Sequence, residues 1–376
     1  MATSAIGPGF LTQTTKFTED LLASFGFVVL VSLLLDIGAQ VNIWRIVCVS
    51  NKRAQDIAND LLPGLGVSLA CLIAFGGLVF NIGNIAGCGL GMNVMTGIPV
   101  IPGAIISCLV ALGIFWYKEA GSMMDTFAKL LGIVMIGLTL YIAIVSKPPV
   151  AEALYRTVLP EKIDLLKIIT LVGGTVGGYI SFAGAHRLLD ANISGPESLP
   201  QVTKSSVTGI VITAVMRFVL FFAALGVVWH GTTLDASNPA GSVFKIAAGE
   251  IGYKFFGVVM WCAAITSVVG ASYTSVSFFK TLHPIVNKYY RGITAVFIIL
   301  STIIFSLAGN PVRLLIMAGA VNGLILPIAL TVILIASSRK RIVGDYHHPL
   351  WMQVAGWLVV LLLCGMGFIT IRDSFQ

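Results

Sequence analysis

The feature that most constrains this chain is the recurrence, from end to end, of apolar stretches long enough to cross a ~30 Å hydrocarbon core. Eleven candidate spans fall near 6–23, 25–47, 65–95, 99–117, 126–146, 166–186, 205–229, 252–282, 292–308, 312–337 and 350–371. Lipid offers no hydrogen bonds to the backbone, so such stretches fold as helices. The expected class is an all-α polytopic membrane protein. Composition agrees: 57% of residues are hydrophobic and 10% charged, where a soluble domain carries roughly 25% charged residues. Loops are short apart from 147–165 and 230–251, and no soluble domain interrupts the spans, so 1–376 reads as one membrane unit.

Several function classes are disfavoured. No HExxH, P-loop, nucleophile elbow or paired helical carboxylates are present, so no enzyme is expected. Cys48, Cys71, Cys88, Cys108, Cys262 and Cys364 lie in or beside apolar spans at no metal-ligand spacing, and read as small buried hydrophobes. The +7 charge sits mainly in loops without a basic aromatic face, which argues against a nucleic-acid partner. Residues 1–9 lack the basic-then-apolar order of a cleavable signal peptide. Placing the N-terminus inside puts 13 Lys and Arg, among them Lys52, Arg53, Lys118, Lys129 and Arg187, in cytoplasmic segments and eight outside. The expectation is therefore an integral protein of a bacterial plasma membrane, N-terminus cytoplasmic and C-terminus outside.

Two places resist explanation by lipid. Thr12–Asp20 carries eight polar residues in nine and must face a protein interior or a water-filled cavity. In the sixth span, Gly173-Gly174-Thr175-Val176-Gly177-Gly178-Tyr179 suggests a helix that unwinds at mid-membrane and offers N–H groups to a ligand. The plainer alternative for such glycines is close helix packing. Spans one and six stand five helices apart, the spacing of an inverted-repeat secondary transporter. On that spacing, repeat one covers about 6–146, repeat two about 166–337, and an eleventh helix about 350–371.

A family resemblance rests on Gly7-Pro8-Gly9-Phe10, Lys52-Arg53-Ala54-Gln55-Asp56-Ile57-Ala58, Leu90–Pro99, Gly173–Val176, Ser267–Tyr273, Asn322-Gly323 and Pro327. Together these resemble NRAMP-type transporters. The resemblance implies a LeuT-type fold and, in the family at large, proton-coupled transport of divalent metals. This sequence departs from that pattern. The family's Asp-Pro-Gly-Asn motif is missing. Aligned from Gly7, its Asp and Asn positions read Thr18 and Leu21, the sixth-helix Met-Pro-His reads Gly177-Gly178-Tyr179, and two third-helix acidic positions read Asn81 and Asn84. A divalent cation wants carboxylate, carbonyl or thioether ligands, so the usual metal site is expected to be gone.

What replaces it is expected to suit a small organic solute bearing a carboxylate. The candidate binding residues are Thr14, Thr15, Lys16, Thr18, Asn81, Asn84, Gly177, Gly178 and Tyr179. Lys16 has a structural alternative, an ion pair with Glu19 (i, i+3) or Asp20 (i, i+4). The asparagines have one in helix–helix hydrogen bonding. Thr266, Ser267, Ser272 and Asp36 are candidates for coupling to H⁺ or Na⁺, although membrane Ser and Thr also bond back to their own helix. No cofactor is expected. The rivals are a metal transporter with a site rebuilt on Glu19, Asp20 and Asp36, and a sensor that binds without transporting.

Overall fold

The computed structural model describes residues 7–374, with side chains described outside 118–129 and 373–374. Lys118 and Lys129, counted above toward orientation, and position 6 of the first span lie outside the described side chains and residues respectively. Sixteen α-helices and two short 3₁₀ turns are described, and no strand appears among the described residues.

In chain order the helices are α1 (Pro8–Leu21), α2 (Phe25–Ser50), α3 (Ala54–Leu61), α4 (Leu65–Thr96), α5 (Val100–Trp116), α6 (Lys118–Val145), α7 (Val150–Val158), α8 (Leu165–Thr175) and α9 (Gly178–Asp190). They continue as α10 (Leu199–Val228), α11 (Pro239–Ser277), α12 (Pro284–Lys288), α13 (Tyr290–Ala308), α14 (Pro311–Ala336), α15 (Lys340–Val343) and α16 (Leu350–Ser374). Starts and stops follow local chemistry. Asp164, Asn238 and Asn310 accept the backbone N–H groups of Lys167, Gly241 and Arg313 as N-caps of α8, α11 and α14. Gly97 and Gly309, at φ 79° and 69°, close α4 and α13.

Among the described residues, eight helical segments, or nine if one bent pair is a single span, could cross a membrane by length and composition alone, where eleven spans were expected. Three features account for the difference. Pro8–Ser50 forms one helical run broken only by the 3₁₀ turn Leu22–Ser24. Helix α5 is short, and α6 joins α7 across a 105° bend. The first expected span needs correction. At 1.5 Å per residue, 14-residue α1 is only about 21 Å long, a half-span rather than a crossing. The sixth span is split as expected, between Thr175 and Gly178. The eighth begins beyond a kink in α11 at Gly249, φ 64°.

Helices α4, α11 and α14 form the centre. The half-helices α1, α8 and α9 are inserted among them and against α2 and α10. Close approach at the α8–α14 seam needs glycine. A Cβ on Gly173 would lie 1.9 Å from the Gly319 carbonyl oxygen and 2.3 Å from the Gly323 nitrogen. Toward the outside, α13 and α16 expose apolar side chains such as Leu307 and Leu361, the surface lipid would cover.

Candidate functional site

Where the first turn of α1 meets the α8–α9 break, the bundle encloses a cavity of about 630 Å³, a size that suits a small organic ligand. Gly9, Phe10 and Gln13 face it from α1, and Gly174, Thr175 and Val176 from the break. Gln13 and Leu315 are buried at one end. At the other, Arg187 and Ser205 are exposed, so the cavity opens toward the face that carries the loops at 51–53 and 191–198.

The wall is mostly apolar, with a few polar groups set into it, and nearly uncharged. Its aromatic members are Phe10, Trp44, Phe80 and Tyr179, and its one ionised side chain is Arg187. Three buried amides are left incomplete. Gln13 donates Nε2–H to the Leu315 carbonyl (3.0 Å), which leaves Oε1 without a partner. Gln40 donates to Ser206 Oγ (3.2 Å), and its Oε1 is likewise unpaired. Asn84 has an unpaired Nδ2. Such orphaned groups are expensive unless a ligand or water completes them. The lining residues thus include two with an unpaired acceptor and one with an unpaired donor, alongside the hydroxyl residues Thr175, Thr213, Thr266 and Ser267.

The expected site residues divide. Asn84 and Tyr179 line the cavity. Tyr179 is fixed there by its N–H bond to Asn322 Oδ1 (3.1 Å) and its O–H bond to the Ala271 carbonyl (3.1 Å). Asn81 turns away and donates to Ser272 and Ser301 Oγ, bridging α4 to α11 and α13. Gly177 and Gly178 pack on α14. A Cβ on Gly177 would lie 2.7 Å from Asn322 Cβ, and one on Gly178 2.3 Å from Ile325 Cγ2. Thr14, Thr15 and Thr18 are buried in packed protein. Thr15 and Thr18 donate to the carbonyls of Leu11 and Thr14.

Lys16 lies outside the cavity, which corrects its expected place beside a substrate. Its Nζ is 2.8 Å from Glu19 Oε2 and 3.0 Å from Asp20 Oδ1. Lys167 bridges Asp20 (3.3 Å) and Asp164 (2.6 Å), and Glu19 also accepts the Leu234 N–H. The side chains of Lys16, Glu19 and Asp20 are 24–35% exposed. The reason is the length of α1. Because it starts at Pro8, only Gly9, Phe10 and Gln13 reach the cavity, and the rest of the polar run climbs away to a surface ion cluster.

Of the coupling candidates, Thr266 and Ser267 line the cavity, with Thr266 Oγ1 donating to the Cys262 carbonyl (3.0 Å). Ser272 is occupied by Asn81 and the Val268 carbonyl. Asp36 lies behind the wall. The sequence reading passed over Gln13, although it sits inside the polar run already singled out, and over Phe10, Trp44 and Phe80. No local signal marks an aromatic as cavity-lining. His186 accepts the Ala54 N–H through Nε2 (3.2 Å) and docks α3 onto α9 beside the Arg53–Asp190 pair (2.5 Å).

A membrane bundle with two interrupted central segments and a solute-sized cavity between them is the arrangement of an alternating-access transporter. The comparisons with known proteins agree. The family model "Natural resistance-associated macrophage protein-like" matches residues 1–373, and the chain belongs to the Nramp family. An uncharacterized membrane protein, YcsG of Bacillus subtilis, is 60% identical over 99% of this chain and 92% of its own length. The divalent metal cation transporter MntH of Agrobacterium fabrum is 22% identical over 96% of this chain and 81% of its own. Among solved structures, a variant of the Eremococcus coleocola manganese transporter superposes with TM-score 0.70 at 13% identity, covering 99% of this chain and 84% of that one. MhsT in complex with L-phenylalanine gives 0.61 at 16% identity, covering 98% and 96%. The fold is therefore LeuT-type, as the family resemblance implied.

Proposed function

We propose that this Nramp-family protein is a secondary active transporter of a small organic solute bearing a carboxylate and an N–H donor, rather than of a transition metal. It would sit in a bacterial plasma membrane with its N-terminus and the cavity mouth on the cytoplasmic side. The observation that carries the reading is the chemistry of the wall. Unpaired amide oxygens of Gln13 and Gln40 ask for an N–H donor, and the unpaired Asn84 Nδ2 asks for an acceptor. No carboxylate, thiol, thioether or imidazole is among the lining residues. A transition metal would find there only amides and hydroxyls, with a guanidinium at the mouth.

The rival site on Glu19 and Asp20 is engaged already. Two ammonium groups, from Lys16 and Lys167, occupy those carboxylates, and a cation would have to displace them. Among the described residues no group of three or more His, Cys, Asp and Glu is placed to hold a metal ion.

Thermal unfolding of the purified protein across two ligand sets tests the reading, because a ligand that binds only the folded state raises its stability. The sets are Mn²⁺ and Cd²⁺ against L-alanine, N-acetylglycine and L-lactate. A saturable rise in Tm with a carboxylate bearing N–H, weakened by Gln13→Ala, is expected. Saturable stabilisation by micromolar Mn²⁺ or Cd²⁺, with none by the carboxylates, would overturn it.

A further inference from the structure

Among the described residues, one carboxylate and one Lys or Arg side chain are buried, and they sit on packed helices. Asp36 on α2 and Arg217 on α10 are each 2% exposed. Neither makes an ion pair within 4.0 Å with a described side chain. Arg217 uses one of its five donors, Nη1–H to Thr175 Oγ1 at 2.8 Å, and its carbon Cζ lies 4.5 Å from the centre of the Phe10 ring. Its Nε and Nη2, and Asp36 Oδ1, have no hydrogen-bond partner. Arg217 is the charged group whose field reaches Asp36. The other charged side chains on α2 and on the helices packed against it are Arg45 on α2, Lys16, Glu19 and Asp20 on α1, Asp56 and Asp60 on α3, Glu152 and Arg156 on α7, Lys167 on α8, His186, Arg187 and Asp190 on α9, Lys204 on α10, Arg313 on α14, Lys340 and Arg341 on α15 and Arg372 on α16.

Helical register sets this pair against the cavity. Asp36 and Gln40 share a face of α2, and Thr213 and Arg217 share a face of α10, each at i, i+4. Gln40 and Thr213 line the cavity, as do Thr175 and Phe10, the two residues that Arg217 touches. The charged layer therefore lies one turn, about 6 Å, beyond the wall. Its hydrogen-bonded link to the cavity is the hydroxyl of Thr175, the last residue of α8 before the sixth span breaks.

We propose that Arg217 is a shared counter-ion that couples proton movement to carboxylate transport, pairing either with ionised Asp36 or with the carboxylate of a solute in the cavity. The inference rests on the carboxylate reading above. In a low dielectric, one guanidinium beside one anion is neutral, while two anions or none leave an uncompensated charge. When a solute carboxylate enters and draws Arg217, Asp36 takes a proton from cavity water onto an Oδ and becomes a neutral acid. When the solute leaves, the proton returns to water and the Asp36 carboxylate recovers Arg217. Only the O–H bond of Asp36 is made and broken. One proton moves with each carboxylate, so transport is electroneutral for a monocarboxylate anion and carries one positive charge for a zwitterion.

The test uses the full chain in liposomes with radiolabelled L-alanine, N-acetylglycine and L-lactate as probes and a pH dye in the lumen. For the probe that exchanges, wild-type uptake should bring in one proton per carboxylate carried, beyond the signal of protein-free liposomes. Asp36→Asn should abolish accumulation driven by a pH gradient while slowing equilibrium exchange less than tenfold. Arg217→Gln should abolish both. Accumulation by Asp36→Asn under a pH gradient, or wild-type uptake without lumenal acidification, would overturn the coupling inference alone; the second measurement needs no variant. Failure of all three probes to exchange in wild type would overturn the carboxylate reading and this inference with it.

Discussion

Arg217 Nη1 lies 2.8 Å from Thr175 Oγ1, so a buried guanidinium is tied to the residue at which the sixth span stops being helical. Thr175 Oγ1 also donates to the Leu171 carbonyl (2.8 Å), which lets one hydroxyl serve both the end of α8 and the cation on α10. Any rearrangement of the break would be felt at Arg217, and the reverse.

The cavity amides should matter for binding and the nearby threonines should not. Gln13→Ala and Asn84→Ala each alter a residue lining the cavity, and loss of a hydrogen bond costs ~1 kcal/mol with a neutral partner and more with a carboxylate, so at least roughly fivefold in affinity. Thr14→Ala alters a buried residue outside the cavity. Titration of the stabilising carboxylate against each variant, by shift in Tm, should rank the two amide variants together and leave Thr14→Ala near wild type.

Lys16 should behave as a surface ion-pair residue. Its partners Glu19 and Asp20 are a quarter to a third exposed, and such pairs are worth ~0–1 kcal/mol. Lys16→Met is expected to lower Tm slightly and to leave ligand affinity within twofold. A tenfold loss of affinity in a protein of unchanged Tm would place Lys16 back beside the solute.

The α8–α14 seam has no room for a methyl group. Gly173→Ala places a carbon 1.9 Å from a backbone carbonyl oxygen, which no side-chain rotation relieves. Overpacking of this kind costs ~1–3 kcal/mol or more. The variant should show a large fall in Tm and a loss of the monodisperse peak on size exclusion, whereas Gly113→Ala, with no atom within 4 Å of its added Cβ, should not.

A pH effect is expected at the loop before α16. His348 Nε2 lies 2.6 Å from Asn42 Oδ1 and its Nδ1 lies 3.0 Å from the Tyr346 hydroxyl, which also accepts from Arg45. Burial first, and then the Arg45 charge, push its pKa from 6.5 down to about 4. The unfolded chain therefore takes up a proton near pH 6.5 that the folded chain refuses until near pH 4. Stability is fully present above pH 6.5 and falls as pH drops through that window. Thermal melts between pH 7.5 and 4.5 should show a shallower decline in His348→Gln than in wild type.

Much of the site was partly legible. The glycine cluster located the break in the sixth span, because four glycines in six residues suit a helix poorly unless it breaks or packs closely. The polar run in α1 was correctly read as hidden from lipid, since Thr12, Gln13, Thr14, Thr15 and Thr18 are 0–1% exposed. What could not be read was which face of that run meets the cavity. Gln13 faces it and Thr14 does not, and adjacent helical residues differ by about 100° in direction, so the answer depends on where α1 starts and what surrounds it.

By itself, then, the sequence determined the membrane environment, the helical class and the interruption of the sixth span. Each follows from local composition: apolar runs of spanning length, backbone groups that lipid leaves unbonded, and glycines that weaken a helix. Only the tertiary structure decided the roles of the polar side chains. Lys16 is claimed by carboxylates on its own helix, while Lys167 joins the same cluster from a segment some 150 residues away along the chain. Asn81 is spent on α11 and α13, Gln40 is half spent on α10, and Arg217 is left with unused donors beyond the cavity wall. Whether a buried polar group is structural or free to meet a ligand depends on partners brought together by packing, and no window of sequence contains them.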